Sequence, residues 1–355
     1  MAIQAIPVTV LIPYDTGMDA PPIDIPTKWS RRGLVIPRAQ EHGVMGDPCI
    51  VWDDDISTWR MVLFAQPGGH GQTICLHTAN DIPNLWSPVE PIPFSDPNLQ
   101  THKPYIVQEA HRPNRAAKIN GEYWLLGVMI VDGHKFIQRA RSKSLAGPWT
   151  WDAEPLIPRG GPGSFDEKHT DAVSGFYFPE RDEVLYYYMG YPATPQPRPI
   201  SPWGNAQGIA TQKADSPTAT KLGEYLPPVP QRGHWASGYY GGIQIFPGKT
   251  HKWVALLNAS PTPPDPEDKS IAREEPAPSL GGWGWCDEDW PIKNWQLEPQ
   301  PMEWIKDIPP DALADGEGTN LWRHHGLVLP DGRVAVYYNS GYYGQEQLYL
   351  KIGEA

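Results

Sequence analysis

Residues Cys49–Ala65 read C-I-V-W-D-D-D-I-S-T-W-R-M-V-L-F-A: an apolar stretch, a short polar break and a second apolar stretch rich in aromatic residues. Further copies of this unit begin at Tyr105, Phe176, Ile243 and Leu327. The second stretches begin near Trp59, Trp124, Val184, Trp253 and Val334, at intervals of roughly 60–80 residues. Strand, turn, strand at such a spacing is typical of propellers. The sequence therefore predicts an all-β, five-bladed β-propeller of four-stranded antiparallel blades.

The five repeats account for nearly all of the 355 residues, which favours one domain over two. The 42 prolines and 34 glycines fit many turns and long loops better than helices. We expect residues 1–40, which contain P-P-I-D-I-P, to be an N-terminal arm that closes the ring or covers a face. Residues 41–355 are then a single propeller domain. The Pro-rich loop at 261–280 is too polar to be core, and its role stays open.

The charge of the chain argues against several partners. The formal net charge is −12, and no Lys/Arg run extends beyond Arg31–Arg32, so we expect no nucleic-acid partner. No apolar run approaches the ~18–20 residues of a membrane span. The N-terminus lacks the features of a signal peptide. These observations predict a cytoplasmic protein, or a secreted one whose signal peptide is absent from this sequence. The oligomeric state is left open.

Charged residues recur at the start of the repeats, where the inner strands of a propeller converge on a central funnel. Asp47 precedes the first repeat, and His102 and Lys103 precede the second. Asp171 opens the third, in S-F-D-E-K-H-T-D-A-V, with Glu167 and His169 nearby. The fifth is preceded by G-E-G-T-N-L-W-R-H-H-G, which contains Glu317, Trp322, Arg323, His324 and His325. Acids and bases at equivalent points of different repeats are what a central polar site requires.

Four segments together resemble the five-bladed propeller glycosidases related to glycoside hydrolase families 43, 32, 117 and 130. They are D-P-C-I-V, S-K-S-L-A-G-P-W, T-D-A-V-S-G-F-Y-F and Y-Y-N-S-G-Y-Y-G-Q-E-Q-L-Y-L. The resemblance covers most of the chain as architecture. It implies an enzyme that cleaves a terminal glycosidic bond of an oligo- or polysaccharide in the funnel, with inversion.

The family 43 pattern assigns three carboxylates to three blades. By this resemblance Asp47 is the general base, and Asp171 is the residue that orients the acid and tunes its pKa. The expected blade-four Glu is missing, because that blade begins G-H-W-A-S-G-Y-Y-G-G-I-Q-I. A proton donor for the leaving oxygen is needed in glycoside cleavage. We therefore predict Glu317 or Glu167 as the acid, in preference to His325.

The remaining residues of the predicted site bind substrate: His102, Lys103, His169, Arg323 and His325, with Trp235 and Trp322 as stacking platforms. Structural roles compete with these assignments. An Asp before a Pro is often a turn former, Asp171 could pair with Lys168, and most Trp residues of such a fold pack between blades. His324 and His325 alternate along a strand, so at most one is expected to face the funnel. No metal-ligand spacing is visible and no cofactor is required, although a structural cation on the propeller axis is compatible with the pattern.

Two other functions remain open. A glycoside phosphorylase of the family 130 type needs one carboxylate, which would account for the missing Glu, and several basic side chains converging on phosphate. A non-catalytic carbohydrate-binding propeller is the other alternative. It predicts similar sites in several blades, whereas the charged residues differ from blade to blade here. All three functions have a carbohydrate as the ligand.

Overall fold

The computed structural model of the chain describes residues 20–38, 44–66, 72–78, 90–95, 101–193, 206–225, 234–237, 239–261, 279–303, 316–318, 321–341 and 345–355. The regular elements within these ranges are strands and one short 3-10 helix, Pro179–Arg181. Most of the 261–280 loop and the first 19 residues lie outside the described part.

The first three sheets follow one another along the chain. The first contains β2 (Val44–Asp53), β3 (Thr58–Gln66), β4 (Gln72–Thr78) and β5 (Glu90–Pro91). The second contains β6 (His102–Ile106), β8 (Lys118–Ile119), β9 (Glu122–Val131), β10 (His134–Ser142) and β11 (Thr150–Trp151). The third contains β12 (His169–Phe178), β13 (Glu183–Tyr191), β14 (Ala206–Lys213) and β15 (Thr220–Tyr225), with β7 (Gln108–Glu109) added in parallel beside β12.

Two further sheets complete the molecule. The fourth contains β16 (Tyr239–Pro247), β17 (Trp253–Ser260), β18 (Leu280–Cys286) and β19 (Gln296–Pro301). The fifth contains β20 (Leu321–Val328), β21 (Val334–Ser340), β22 (Gln347–Glu354) and β1 (Lys28–Ile36). Each sheet takes its first strands from one of the predicted repeats, and these strands pair in the antiparallel order expected of consecutive hairpins.

The strand β1 joins the two ends of the described chain. It pairs antiparallel with β22, in a register that runs from Lys28 opposite Glu354 to Ile36 opposite Leu348. Residues 28–36 of the predicted arm are therefore a strand of the last sheet. Pairing of an N-terminal strand with the C-terminal one holds the last sheet together from both ends of the chain.

The sheets are arranged around a central axis. The strands β2, β6, β12, β16 and β20 contact one another in a closed cycle, so that each touches the next and β20 returns to β2. Each of these strands comes first in its sheet along the chain, apart from the two-residue β7 that precedes β12 in the third sheet and the N-terminal β1 in the fifth. The fold is an all-β propeller of antiparallel sheets, and the starts of the five innermost strands surround one axial region.

The core lies between the sheets. Tyr186, Tyr187 and Tyr188 are consecutive and all fully buried, although neighbouring side chains of a strand point to opposite faces. Both faces of β13 are therefore covered, which is why the repeats read as continuous apolar stretches. Trp149 is also buried, and its N–H donates to the Pro93 carbonyl oxygen at 2.9 Å, linking the second sheet to the first. This is the inter-blade packing expected of most Trp residues.

Cys49 is buried with a free thiol, which excludes a disulfide between it and Cys75. Its Sγ lies 3.4 Å from the Ile106 backbone nitrogen, which donates to it from the neighbouring sheet.

Within the described ranges, no helix has both the length and the apolar character needed to cross a membrane.

Candidate active site

Each innermost strand carries a β-bulge near its start. Two residues there face one residue of the partner strand, and the pairs are Asp47–Pro48, Lys103–Pro104, Ala172–Val173, Gly241–Gly242 and Arg323–His324. One residue of each pair has a positive φ: 51° at Asp47, 50° at Lys103, 47° at Ala172, 78° at Gly242 and 40° at Arg323. Bulges redirect side chains and are frequent beside active sites. The fivefold repetition therefore builds one ring of redirected residues around the axis.

This ring stores backbone strain in residues other than glycine. A left-handed conformation costs a non-glycine residue about 1–3 kcal/mol and persists only where the surroundings enforce it. Asp47 and Lys103 also precede prolines, which further disfavours this backbone region. The ladder on both sides of each bulge holds the conformation. Strain at the same point in several strands marks this ring as a functional candidate.

Asp47 is almost completely buried at the ring. Its N–H donates to Asn339 Oδ1 at 3.3 Å, and its Oδ1 lies 3.8 Å from Arg323 Nε. Burial raises the pKa of the Asp47 carboxyl, while the charges of Arg323 and Lys103 oppose that shift. A carboxyl with a raised pKa exchanges protons closer to neutral pH than an ordinary Asp. Asp47 therefore has the properties of a proton-transfer group.

Asp171 is fully buried but has the opposite electrostatic environment. Lys103 Nζ donates to its Oδ1 at 2.7 Å and Lys135 Nζ to its Oδ2 at 2.8 Å. The Ala172 N–H also donates to Oδ1 at 2.7 Å. Burial works against ionisation, but the two ammonium groups outweigh it and hold the pKa of Asp171 below its usual range. Asp171 is thus a permanently charged carboxylate that fixes two lysines. The expected alternative partner, Lys168, is not among these donors.

Two predicted histidines border this group. His102 packs against Phe64, with ring centroids 4.8 Å apart, and burial together with Lys103 and Lys135 lowers its pKa to about 4. His169 Nδ1 accepts a hydrogen bond from the Lys135 backbone N–H at 3.2 Å, and burial lowers its pKa as well. Both imidazoles are therefore neutral at pH 7 and can act there as hydrogen-bonding groups.

His325 lies on the axis and is fully used by the protein. Its Nε2 accepts from the Ile50 N–H at 3.0 Å and lies 3.2 Å from Asn114 Nδ2. Burial lowers its pKa to about 3, so at neutral pH it holds no proton to donate as an imidazolium. Gln244 Nε2 at 3.5 Å and the Ile50 carbonyl oxygen at 3.1 Å also lie near this nitrogen. Among the described residues, no cluster of three or more His, Cys, Asp or Glu could hold a metal.

The bulge at Arg323 changes the expected orientation of its neighbours. His324 and His325 both line a cavity on the axis, together with residues of the other innermost strands. The imidazole of His324, however, stacks on Tyr338 and lies beside Gly281, away from the Ile50 and Gln244 contacts of His325. The expectation that at most one of the two faces the funnel stays a prediction.

The two predicted proton donors lie in other environments. Glu317 accepts hydrogen bonds at Oε1 from Arg31 Nη1 at 2.5 Å and from Tyr338 Oη at 2.8 Å, and Arg31 belongs to β1. Glu167 Oε2 accepts from the Gly163 N–H at 2.8 Å in an exposed loop. Glu317 therefore holds the N-terminal strand, and Glu167 stabilises a loop. Neither carboxylate is placed by these contacts beside Asp47.

The two predicted stacking platforms differ. Trp235 is completely buried, and its Nε1 donates to the Glu298 carbonyl oxygen at 2.8 Å. Its ring packs so closely on Gly282 that a Cβ there would lie 2.3 Å from the ring. A buried ring cannot stack on a substrate, so the prediction for Trp235 was wrong, and the residue is one of the packing tryptophans. Trp322 is half-buried beside Arg323, and its role as a platform stays a prediction.

The sequence did not reveal two residues of this group. Lys135 follows the Asp132–Gly133 turn between β9 and β10, and nothing around it distinguishes it from a solvated lysine. Asn339 lies on β21 and reaches Asp47 from the fifth sheet. Both act across sheet boundaries, and only the arrangement of the sheets around the axis brings them to the ring.

No protein-family model matches this chain, and no curated protein matches it either. Solved structures match over nearly its full length. A thermostable family-43 glycoside hydrolase shares 14% identity, with 90% of this chain and 91% of that one covered and a TM-score of 0.54. The GH62 α-L-arabinofuranosidase of Coprinopsis cinerea shares 10% identity, with 93% and 97% covered and a TM-score of 0.58.

A third structure comes from the GH130 family of mannoside phosphorylases, which contains glycoside hydrolases that target β-1,2 mannosidic linkages in Candida mannan. It shares 13% identity, with 93% of this chain and 94% of that one covered and a TM-score of 0.58. Identities this low establish a common fold and not a common reaction. The chain is thus similar in fold to propeller glycosidases, as the sequence motifs indicated.

Proposed function

We propose that this protein is a glycoside hydrolase that cleaves a terminal glycosidic bond in the axial funnel, and we take the five sheets as five blades. The observation that carries the proposal is the pair of buried carboxyl groups at the bulge ring. Asp47 has a raised pKa, and Asp171 is held charged by two lysines. Neighbouring carboxyl groups whose pKa values are driven apart are characteristic of acid–base chemistry on glycosides.

In this proposal Asp47 is the general base that activates water. A raised pKa makes its carboxylate a stronger base, and the charge of Arg323 at 3.8 Å favours the ionised form. Asp171 does not react. It positions Lys103 and Lys135 and supplies a fixed negative charge beside the reacting group.

We further propose that the reaction inverts the anomeric configuration. A retaining mechanism needs a second carboxylate that attacks the anomeric carbon. Asp171 is completely buried and accepts three hydrogen bonds, so its oxygens have no open approach for a nucleophilic attack. Proton NMR of the first product anomer during turnover tests this point directly. Retention of configuration would contradict the assignment.

One specific observation favours phosphorolysis as a second candidate. Lys103, Lys135 and Arg323 bring three cations to the ring, and Asp47 is the candidate carboxyl there with a raised pKa. A phosphorylase needs one carboxyl and a cationic site for phosphate. Two of these cations, however, already bind Asp171 and the third lies beside Asp47, and for this reason we prefer hydrolysis.

The experiment is a turnover screen of wild type, Asp47→Asn and Glu317→Gln against aryl glycosides and oligosaccharides, with and without phosphate. We expect the wild type to release product without phosphate. Glu317→Gln should do the same, and Asp47→Asn should not. Release that requires phosphate would establish the phosphorylase instead. Sugar binding without any turnover would overturn both and indicate a carbohydrate-binding propeller.

A further inference from the structure

The bulge ring surrounds a cavity on the propeller axis whose walls come from all five innermost strands. Its lining residues are Pro48, Tyr105, Ser174, Gly241, Gly242, Ile243, Gln244, Asn258, Arg323, His324 and His325, with Asn258 contributed by β17. A site formed by five strands at once is rigid, because each wall is fixed by its own sheet. The free volume of this cavity is about 20 Å³, which is room for a group of a few heavy atoms and not for a sugar ring.

Polar side chains around this cavity have unused hydrogen-bonding capacity. Tyr105 is 4% exposed, and its hydroxyl has no partner among the described residues. Among the described residues, Arg323 Nη1 also lacks a partner. A buried polar group without a partner costs about 1–3 kcal/mol, so native proteins rarely retain such groups side by side without a reason. Two such side chains on one cavity indicate a ligand with acceptor atoms.

The charge of the cavity specifies the ligand further. Arg323 is the one charged side chain among its lining residues, and no carboxylate is included. The other two nitrogens of this guanidinium already have partners. Nε lies 3.8 Å from Asp47 Oδ1, and Nη2 lies 3.5 Å from the Val173 carbonyl oxygen. Nη1 is therefore available in a cavity that carries a positive charge within a protein of net charge −12. This arrangement favours an anionic acceptor.

Gly242 makes room for this guanidinium. A Cβ at Gly242 would lie 2.9 Å from Arg323 Nη1, and its φ of 78° also disfavours other residues. The fourth innermost strand thus lacks the carboxylate expected from the family pattern and instead provides space for a cation from the fifth. The glycine at position 242 thus accounts for both features: this strand has no acid there, and the Arg323 guanidinium has room beside it.

We propose that the axial cavity binds the carboxylate of an acidic sugar, so that the substrate of the proposed glycosidase is a uronic acid glycoside. This inference rests on the proposed function. The two oxygens of a carboxylate would accept from Arg323 Nη1 and Tyr105 Oη, which are both unpaired. Because Arg323 also lies beside Asp47, a sugar anchored on Arg323 is held next to the proposed base. Inorganic phosphate offers similar acceptor chemistry, and the experiment separates the two.

The test compares matched pairs of aryl glycosides that differ in the C6 group, a hexuronide against the corresponding hexoside in each configuration. We expect kcat/KM for the preferred uronide to exceed that of its neutral partner by about 10- to 100-fold, the range of a hydrogen bond to a charged group. Tyr105→Phe removes one hydroxyl and keeps the ring. It should lower kcat/KM for the uronide by roughly 10-fold more than kcat/KM for the hexoside.

Equal or faster turnover of the neutral partners would overturn the inference and leave the proposed hydrolase intact. An equal loss on both substrates in Tyr105→Phe, with unchanged thermal stability, would overturn it too. Titration calorimetry with free hexuronic acids, the matching hexoses and inorganic phosphate supplies a readout that needs no turnover. Preference for hexuronic acids supports the inference even if no glycoside is cleaved, whereas binding of phosphate alone contradicts it.

Discussion

Two buried charge clusters in this propeller look alike as lists of residues and differ in their surroundings. The funnel cluster consists of Asp47, Lys103, Lys135, Asp171 and Arg323. The arm cluster consists of Arg31, Glu303, Glu317, Tyr338 and Lys351, and it joins β1 to the rest of the fifth sheet and to the end of the fourth. Burial lowers the pKa of Lys103 in the first and of Lys351 in the second. A perturbed pKa therefore does not by itself distinguish a site from a structural network.

The difference lies in charge balance and in the backbone. The arm cluster sets two cations against two carboxylates, and Lys351 is fully enclosed against the ring of Tyr338. The funnel cluster sets three cations against two carboxylates, on bulged strands with positive φ, beside a cavity. Unmatched charge, strain and open space occur together in the funnel. That combination, rather than the number of charged residues, indicates a site for a ligand.

The largest expected difference between the clusters is catalytic. Asp47→Asn removes the proposed base and should lower kcat by roughly 10²–10⁴-fold, the usual contribution of proton transfer. The substitution also removes a buried carboxyl with an unfavourable charge, so the thermal unfolding temperature should stay the same or rise. Steady-state kinetics and thermal unfolding on the same preparation measure both effects. Retained activity would contradict the proposed role of Asp47.

A substitution in the arm cluster should lower the stability of the protein and leave its catalysis unchanged. Glu317→Gln removes one of the two carboxylates that bind Arg31 and leaves Glu303 at 2.9 Å, so the loss is that of a hydrogen bond between charged groups, about 1.5–3 kcal/mol. We expect the free energy of unfolding to fall by roughly that amount in urea titrations, with kcat unchanged at low temperature. The double variant Arg31→Gln/Glu317→Gln should recover part of the loss. A drop in kcat without a loss of stability would restore Glu317 as a catalytic candidate.

The contacts of Glu317 show what the sequence could and could not provide. The apolar repeats are local signals and sufficed for the sheets and their order. Asp47, Lys103 and Arg323 could be selected because each lies at the start of a repeat, where the bulges later proved to be. Glu317 met the same criterion, but its partner Arg31 is 286 positions away in the sequence, and that pairing depends on how β1 closes the last sheet. The same holds for Lys135, which reaches Asp171 from another sheet.

Trp235 illustrates a second limit. Its sequence context, G-H-W-A-S-G, is rich in small residues, as expected near a binding site. In the structure small residues have another purpose, because Gly282 lets the indole ring pack against the backbone of β18. Composition therefore predicts where rings and small residues occur, but it does not tell an exposed face from a buried one.

The pH dependence of stability should distinguish the two clusters, because the histidines lie in the funnel. His325 has a folded-state pKa of about 3, whereas an unfolded histidine titrates near 6.5. Below about pH 6.5 the unfolded state binds a proton that the folded state excludes, so stability falls as pH decreases. The expected slope is on the order of 1 kcal/mol per pH unit down to the folded pKa. For Asp171 the loss comes at lower pH, because its carboxyl pKa is lowered in the folded state. Its charge stabilises the fold above about pH 4, and this contribution is lost as the pH falls further.

His325→Gln tests this assignment with a residue that can still accept from the Ile50 N–H. We expect the variant to be less stable at pH 7 but to lose less stability than wild type between pH 6.5 and 4.5, measured by urea unfolding at each pH. Glu317→Gln serves as the control, since it changes the arm cluster and should leave the slope unchanged. An unaltered slope in His325→Gln would contradict a neutral, buried imidazole on the axis.

The smallest expected effect concerns the room left for Arg323. Gly242→Ala introduces a Cβ 2.9 Å from Nη1 at a φ of 78°, so it should cost about 1 kcal/mol of stability and displace the guanidinium. Gly121→Ala is the matched control, because Gly121 has a φ of 81° and no atom within 4 Å of its added Cβ. Both variants should lose similar stability in urea unfolding. A several-fold lower kcat/KM in Gly242→Ala alone would assign the difference to Arg323, whereas equal kinetics in the two variants would separate the arginine from substrate binding.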